Sequence, residues 1–527
     1  MKAIIPPGVS ESSFNKAIDE FRAIVGAEWV FIETKKVDLY RDAYTPMDPE
    51  DDFYASAAVA PKSTEEVQAI VGVANKYKIP LWSISTGKNL AYGGSAPRMT
   101  GSVVLDLKRM NRVLEVNEEL AYVLVEPGVS FFDLYDHLRK TNSKLWMSVP
   151  SPGWGSVLGN TLERGAGYTP YGDHFGKQCG MEVVLANGTL MRTGNGAMEK
   201  SDSWQQFKYG FGPYVDGLFT QSNFGIVTKM GLWLMPEPEY FMCGMVHVRD
   251  EDQLQNIIDT LRPFMLDGSI DCAPSIYTGT FEASFKTVRS KYKEGPQPMT
   301  KQELRSMYED LDLGWWNVRL SFYGDEVIAK HNWNKVKTAF SRLPGVSFEM
   351  NEFSTPLNEG ALGYNEKLQA GIPNMAEWNV INWGPGLSGH MDFSPTCPLI
   401  GKTAEKQYRL FSKMVQDAGY EYVGGFVGRE RGLLHIVPLP ILKDMPEVNQ
   451  RGRETVRKMV DEGKKRGWGA YRTHLFLMDQ IAESYSFNEG AALRFSESIK
   501  DALDPNGILA PGKQGIWPKS YRQEDPS

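Results

Sequence analysis

Three glycine-punctuated stretches within the first 175 residues constrain what this chain can fold into. They lie at residues 83–95, 150–160 and 165–174. Such stretches let backbone N–H groups approach a ligand closely, so three of them in one region predict a site for a large, flat ligand. The first stretch could cradle a diphosphate, although a plain tight turn is the alternative for this loop taken alone. It matches neither the Gly-x-Gly-x-x-Gly pattern nor the Gly-x-x-x-x-Gly-Lys-Ser/Thr pattern.

The length of 527 residues exceeds what one hydrophobic core usually serves, so we expect two domains. Residues 1–240 alternate helical and strand patterns, for example a Ser63-capped helix over 63–78 followed by a strand at 80–85. After residue 240 the helical patterns lengthen and are separated by strands. We therefore predict an α+β fold with one unit at residues 1–240 and a second at 241–468.

Charge and cysteine content exclude several classes of function. A formal net charge of -8 opposes nucleic acid or an anionic membrane as the partner, since both require a basic face. The four cysteines have neither zinc nor haem-attachment spacing, so we expect no metal site and no disulfide framework. No apolar run reaches the roughly 18 residues of a membrane span, and no export signal is apparent, which favours a soluble cytoplasmic protein.

The motifs together resemble the vanillyl alcohol oxidase and p-cresol methylhydroxylase family, flavoproteins that oxidise para-substituted phenols. The resemblance covers nearly the whole chain and is carried by residues 85–94, 123–135, 153–160, 167–174, 221–229, 471–472 and 504–513. It implies a p-cresol methylhydroxylase-type FAD-binding domain at 1–240, completed by 469–527, and a cap over the flavin ring at 241–468.

The resemblance also implies which residues bind FAD. His390 matches the histidine that the family's oxidases join covalently to the flavin C8 methyl group, whereas p-cresol methylhydroxylase uses a tyrosine. Without its relatives, His390 would be read as an ordinary hydrogen-bonded imidazole. The expected FAD-binding residues are Ser85, Thr86, Gly87, Lys88, Asn89, Gly93, Gly94, Pro150, Gly155, Ser156, Gly159, Asn160, Gly167, Ile226, Val227, His390, Arg472 and Lys513.

On the substrate side, Tyr92, Tyr471 and Arg472 match the family's phenolate-binding residues. Tyrosine hydroxyls donate to the phenol oxygen, and the permanently charged guanidinium holds that oxygen ionised. Loss of a hydride from the para-benzylic carbon then yields a neutral quinone methide, to which water adds or from which a proton leaves. Two buried core tyrosines and a surface arginine are the alternative. The other expected pocket residues are Tyr168, Ser394, Gly425, Val427 and His435.

The chain departs from the family at the carboxylate that this chemistry requires. Ser151 stands where the oxidases have Asp, and Gly425 aligns with the Glu of p-cresol methylhydroxylase, so both known carboxylates are expected to be absent. Glycines at 425 and 432 predict a larger pocket and a bulkier lignin-derived or lignan-like phenol. Asp392 shares a strand face with His390 if the segment is extended, so we expect it to replace the base, unless it faces solvent or pairs with an arginine.

Three functions remain open from the sequence. The first is an oxidase that passes electrons to O2, which His390 favours. The second is a phenol hydroxylase or dehydrogenase that passes electrons to a separate c-type cytochrome, which Ser151 favours. The third is a flavin-free binding protein on the same scaffold. Family members assemble as dimers or larger sets of dimers, so we expect a homo-oligomer.

Overall fold

The computed structural model describes residues 4–45, 47, 52–384, 388–442 and 445–522. The last five residues of the predicted C-terminal FAD segment, 523–527, therefore lie outside the described residues. Within the described residues no helix is long and apolar enough to cross a membrane.

Two sheets form the N-terminal half. A four-stranded sheet has the order β1-β2-β4-β3 and contains β1 (Val30–Phe31), β2 (Ala57–Val59), β3 (Leu81–Ile84) and β4 (Val103–Asp106). A five-stranded antiparallel sheet has the order β5-β6-β10-β8-β9 and contains β5 (Val113–Asn117), β6 (Tyr122–Val125), β8 (Gln178–Leu185), β9 (Leu190–Arg192) and β10 (Gly225–Trp233). The short strands β7 (Leu145–Trp146) and β11 (Met235–Pro236) pair with each other.

The third sheet is the framework of the second half. Seven of its strands follow the order β15-β12-β14-β13-β18-β19-β16, and β17 pairs with β19. The strands are β12 (Tyr240–Val248), β13 (Ser275–Thr278), β14 (Trp316–Gly324), β15 (Val346–Ser354), β16 (Ser388–Phe393), β17 (Thr396–Pro398), β18 (Gly425–Arg429) and β19 (Gly432–Leu442). Its first strand in chain order, β12, starts at Tyr240.

Helices cover these sheets. They are α1 (Glu11–Val25), α2 (Thr34–Val37), α3 (Thr64–Tyr77), α4 (Phe131–Lys140), α5 (Val157–Leu162), α6 (Leu254–Leu266), α7 (Gly279–Lys286), α8 (Lys301–Asp310), α9 (Glu326–Phe340), α10 (Tyr364–Gln369), α11 (Trp378–Ile381), α12 (Gly401–Asp417), α13 (Pro446–Arg466), α14 (Met478–Ser484) and α15 (Phe487–Leu503). The mixture of sheets and covering helices confirms the predicted α+β class.

The C-terminal segment returns to the N-terminal half. Residues 508–510 run parallel to β3, because the Leu81 N–H donates to the Ile508 carbonyl and the Ala510 N–H to the Leu81 carbonyl, each at 2.7 Å. Lys500, at the end of α15, is fully buried and pairs with Asp504 at 2.6 Å. Its ammonium also donates to the Asn223 carbonyl at 2.9 Å. The last turn of α15 is therefore fastened to both the tail and the first half of the chain.

Candidate active site

One continuous cavity of about 340 Å³ lies between the glycine-rich loops and the third sheet. Most of the predicted site residues line it: Ser85, Thr86, Gly87, Lys88, Asn89, Tyr92, Gly94, Pro150, Ser151, Gly155, Ser156, Gly159, Asn160, Tyr168, Ile226, Val227, His390, Asp392, Val427, Tyr471, Arg472 and Lys513. Residues that are more than 300 positions apart in the sequence therefore line the same cavity.

Five predicted residues lie behind the wall, namely Gly93, Gly167, Ser394, His435 and Gly425. Gly93 and Gly167 pack against neighbouring side chains, Leu475 and His174 respectively, in the direction that a Cβ would take. Ser394 is fully buried, and its carbonyl accepts from the Tyr471 N–H at 3.1 Å.

His435 is the fourth of these residues, and its assignment to the substrate pocket is corrected. The side chain is fully buried and lies 2.8 Å from the Tyr422 hydroxyl. Its ring also stacks on Phe426 with a centroid distance of 4.1 Å. Burial lowers the pKa of this imidazole to about 3, so it is a neutral core histidine.

The expectation of an enlarged pocket at Gly425 and Gly432 is also corrected. Gly425 lies directly opposite Tyr277 in the β13–β18 pair, and a Cβ at Gly425 would come within 2.5 Å of the Tyr277 ring. Gly432 starts β19 beside the Cys397 carbonyl and does not line the cavity. The space left by Gly425 is therefore filled by an aromatic side chain from the next strand, and the basis for a bulkier substrate is lost.

Tyr92, Tyr471 and Arg472 do come together at the cavity. The guanidinium carbon of Arg472 lies 4.0 Å from the Tyr92 ring centroid, and Arg472 Nη2 donates to Asn89 Oδ1 at 3.1 Å. Burial and the neighbouring Tyr471 and Asp392 raise the pKa of Tyr92 well above its ordinary value. Tyr92 is therefore a hydrogen-bond donor, held beside a fixed positive charge.

His390 and Asp392 lie on β16 and both face the cavity, as the extended segment predicts. The Tyr44 hydroxyl lies 2.6 Å from His390 Nδ1, and Asp392 Oδ1 lies 3.5 Å from His390 Nε2. Asp392 Oδ2 accepts from the Tyr92 hydroxyl at 3.2 Å. Asp392 thus bridges the proposed tether and the phenol-binding residues, and it does not face solvent.

A second carboxylate on the cavity wall, Glu377, was missed by the sequence analysis. It immediately precedes α11 and lines the cavity together with Ser151 and Tyr168. Burial raises the pKa of Glu377, and Asp392 adds to this effect, while Ser151, His390 and Arg319 oppose it. Ser151 and Gly425 do leave both family positions without an acid, and Glu377 supplies a carboxylate from a third position. Glu377 follows no glycine pattern, and the sequence gives no sign of the fold that returns it to Ser151.

The end of the cavity around Glu377 is rich in hydroxyl groups. Ser151 Oγ lies 2.5 Å from the Tyr168 hydroxyl, and Tyr277 lines the same region. Burial, with a contribution from Glu377, raises the pKa of Tyr168 to about 12, so its hydroxyl stays protonated. The cavity thus joins a cationic end at Arg472 to a hydroxyl-rich end with one carboxylate.

The loops on the opposite wall fit an extended cofactor. A Cβ at Gly159 would lie 2.5 Å from Ser85 Oγ, so the first two glycine-rich loops approach each other as closely as backbone allows. Gly155 has no neighbouring atom within 4 Å in its Cβ direction, which leaves room for a ligand. Lys513 pairs with Glu163 at 2.6 Å, and both line the cavity. These residues would hold FAD along the loops, with positive charge from Lys513 and Arg472 available to its anionic groups.

Comparison with known proteins identifies the family. The FAD binding domain family matches residues 55–194, and the C-terminal domain of the FAD linked oxidases matches residues 400–514. The 4-cresol dehydrogenase (hydroxylating) flavoprotein subunit of Pseudomonas putida is 37% identical over 517 residues, covering 98% of this chain and 98% of that protein. This chain belongs to the vanillyl alcohol oxidase and p-cresol methylhydroxylase family. The protein is accordingly a flavin-dependent oxidoreductase whose cofactor is FAD.

Solved structures of this flavoprotein family show the same fold. A 4-ethylphenol oxidase from Gulosibacter chungangensis, in complex with isoeugenol, is 40% identical and superposes with a TM-score of 0.94, covering 98% of this chain and 100% of that chain. A substrate-bound p-cresol methylhydroxylase is 37% identical with a TM-score of 0.91, covering 98% of this chain and 99% of that chain. The two relatives represent an oxidase and a methylhydroxylase at nearly equal similarity.

Proposed function

We propose that this flavoprotein oxidises para-substituted phenols, namely 4-alkylphenols, 4-allylphenols and 4-hydroxybenzylic alcohols. The observation that carries the proposal is the grouping of Tyr92, Tyr471 and Arg472 on the wall of a cavity that Glu377 also lines. The names of the two solved relatives, a 4-ethylphenol oxidase and a p-cresol methylhydroxylase, support the same class of substrate.

The cationic end of the cavity would ionise the phenol. Burial disfavours the charge on Arg472, yet Tyr92, Tyr471 and Glu163 raise the pKa of its guanidinium above the ordinary value. A phenol oxygen placed here accepts from the tyrosine hydroxyls and pairs with Arg472, so its pKa falls. When the benzylic carbon of a phenolate loses a hydride, the product is a neutral quinone methide rather than a cation. Bound FAD supplies the hydride acceptor.

Glu377 would accept the proton that is released at the para substituent of the substrate. A carboxylate with a raised pKa is, in its ionised form, a stronger base than an ordinary glutamate. It takes a proton from the water that adds to the quinone methide, or from the hydroxyl of a benzylic alcohol substrate. Ser151, which hydrogen-bonds Tyr168, shapes this end but carries no charge. Asp392 would hold Tyr92 and His390 in place.

Anaerobic mixing with substrate tests the proposal directly. We expect 4-ethylphenol to bleach the flavin absorbance near 450 nm within seconds, because the phenol oxygen can ionise. The matched control, 4-ethylanisole, has the same benzylic carbon but no ionisable oxygen, and it should leave the spectrum oxidised. Absence of bleaching with every para-substituted phenol, or equal bleaching with the anisole, would exclude the proposed function.

We further propose that His390 tethers FAD covalently. Its Nδ1 is engaged by Tyr44 at 2.6 Å, whereas Nε2 has only the longer 3.5 Å contact with Asp392 Oδ1, so Nε2 is the nitrogen more readily freed to bond the flavin. Acid precipitation should leave the yellow colour with the protein, whereas the His390→Ala variant should release it into the supernatant. Release of flavin from the unmodified protein would end this proposal.

The electron acceptor and the assembly state are proposed from the same relatives. O2 is the acceptor that His390 favours, and a c-type cytochrome is the alternative that Ser151 favours. A homodimer or a larger assembly of dimers is expected from the family, and sedimentation velocity measures it. A monomer at micromolar concentration would contradict this expectation.

A further inference from the structure

Tyr277 occupies a space that the neighbouring strand leaves open. It lies on β13 directly opposite Gly425 on β18, so both residues point to the same face of the sheet. A side chain at 425 would collide with the Tyr277 ring, because even a Cβ would lie 2.5 Å from its Cδ1. The Ile276 carbonyl oxygen, 2.4 Å from the same Cβ position, would also collide, so the β13 backbone itself requires glycine at 425 and the Tyr277 ring packs over it. The Tyr277 side chain is 4% exposed and lines the hydroxyl-rich end of the cavity.

The Tyr277 ring is held in one position. It stacks on Phe281 with a centroid distance of 3.8 Å and an interplanar angle of 7°. The Arg319 guanidinium lies 5.8 Å from the Tyr277 ring and 5.2 Å from the Phe281 ring. Arg319 is itself fixed by two hydrogen bonds to Glu282, at 2.9 and 2.8 Å. This bidentate pair is almost fully buried, so the rings of Tyr277 and Phe281 cannot move away without disturbing it.

Tyr277 and Glu377 both line the cavity, and the Tyr277 hydroxyl, which hydrogen-bonds Tyr168, can donate to a bound substrate oxygen in place of Tyr168. Burial, with contributions from Tyr168 and Glu377, raises the pKa of Tyr277 well above its ordinary value, so it stays protonated. The hydrogen bond between Tyr277 and Tyr168 lowers the pKa of Tyr168. Glu377 accepts hydrogen bonds and Tyr277 donates them, so together they match a hydroxyl group, which does both.

We propose that Tyr277 selects substrates that carry an oxygen on the benzylic carbon, by donating a hydrogen bond to that oxygen. The proposal rests on the phenol oxidation proposed above and names its substrate preference: 4-hydroxybenzylic alcohols over 4-alkylphenols. The alcohol O–H donates to Glu377 while its oxygen accepts from Tyr277. During oxidation the benzylic C–H bond would break and its electron pair would leave as a hydride, for which bound FAD would supply the acceptor. The O–H proton passes to Glu377, and the C=O bond of the aldehyde forms with its oxygen still bonded to Tyr277.

Removal of one hydroxyl group tests this role. In Tyr277→Phe the stack on Phe281 is retained, and we expect the ratio of kcat/KM for 4-hydroxybenzyl alcohol to that for 4-ethylphenol to fall about tenfold, as the loss of one buried hydrogen bond predicts. The dissociation constant of 4-hydroxybenzaldehyde, measured from the perturbed flavin spectrum, should rise by a similar factor. Thermal unfolding and flavin content of the variant establish that it is folded.

Tyr308→Phe is the matched control. The Tyr308 hydroxyl lies 2.6 Å from Thr280 Oγ1 on α7, the helix that carries Phe281, and Tyr308 does not line the cavity. The substrate ratio should remain within twofold of the unmodified enzyme. An unchanged ratio in Tyr277→Phe, or an equal fall in Tyr308→Phe, would overturn the role of Tyr277 while 4-ethylphenol still reduces the flavin. Failure of the unmodified enzyme to oxidise either substrate would instead overturn the proposed function itself.

Discussion

Arg472 has three neighbours that a lysine could not satisfy together. Its guanidinium covers the Tyr92 ring and donates to Asn89. Against the opposing effect of burial, Tyr92 and Tyr471 also raise the pKa of the guanidinium. A lysine keeps the charge but loses the planar, forked geometry. We expect Arg472→Lys to lower kcat/KM for 4-ethylphenol about 100-fold, the scale of a charge-assisted hydrogen bond.

The control for this substitution is Arg164→Lys, because Arg164 donates to Thr220 and lies off the cavity wall. It should change kcat/KM less than twofold. A comparable loss in both variants would show that Arg472 acts through folding rather than through the phenol.

Glu377 predicts the shape of the pH profile. A base must be ionised, so the rate is present above its pKa and is lost as the pH falls through it. Because burial raises the pKa of Glu377 above the ordinary value of 4.5, the acidic limb should lie above that pH. Glu377→Gln should lower kcat about 100-fold or more and flatten this limb. An unchanged acidic limb in the variant would remove Glu377 from the proton transfer.

Asp392 has a different expected role, because its carboxylate already accepts from Tyr92 and lies beside His390. Asp392→Asn keeps an acceptor oxygen but removes the charge, and we expect turnover to fall about tenfold through misplacement of the phenol. Turnover and flavin incorporation are measured on the same preparation. If both are unchanged, Asp392 has no function in the site.

The buried ion pair at the C-terminal end of α15 stabilises the folded protein. Lys500 and Asp504 are both fully buried, so Lys500→Met leaves an uncompensated charge and should lower the free energy of unfolding by about 4 kcal/mol. The control is Lys413→Met, since Lys413 and Asp417 form an exposed pair one turn apart on α12. That substitution should cost less than about 1 kcal/mol. Urea unfolding compares them, and equal losses would contradict a fastening role for Lys500.

Local signals predict single elements well, and pairings between elements poorly. The Ser63 cap and the apolar spacing after it predict α3, and the alternation of His390 and Asp392 predicts a shared strand face, because both signals are contained within a few residues. Gly425 shows the limit. A glycine at this position suggests an empty space, but the side chain that packs there, Tyr277, belongs to β13, about 150 residues away in the sequence. Glu377 reaches Ser151 through the same kind of long-range contact.

At the scale of the whole molecule, the electron acceptor distinguishes the two relatives that this chain resembles. Aerobic oxidation of 4-ethylphenol should release one H2O2 for each substrate consumed, at a rate that matches turnover, if O2 is the acceptor. Reduction of an added c-type cytochrome, with little H2O2, would instead support the methylhydroxylase-type alternative. Catalase added to parallel reactions confirms that the measured product is peroxide.

The pairing of residues 508–510 with β3 has a consequence for biosynthesis. The loop at residues 83–95, which follows β3, is synthesised early, whereas its edge partner and Lys513 leave the ribosome more than 400 residues later. A nascent chain can therefore assemble both sheets of the first half and still offer FAD an unfinished site. We therefore expect FAD to bind only after the C-terminal segment has been made, and a chain truncated before residue 504 to purify as colourless protein.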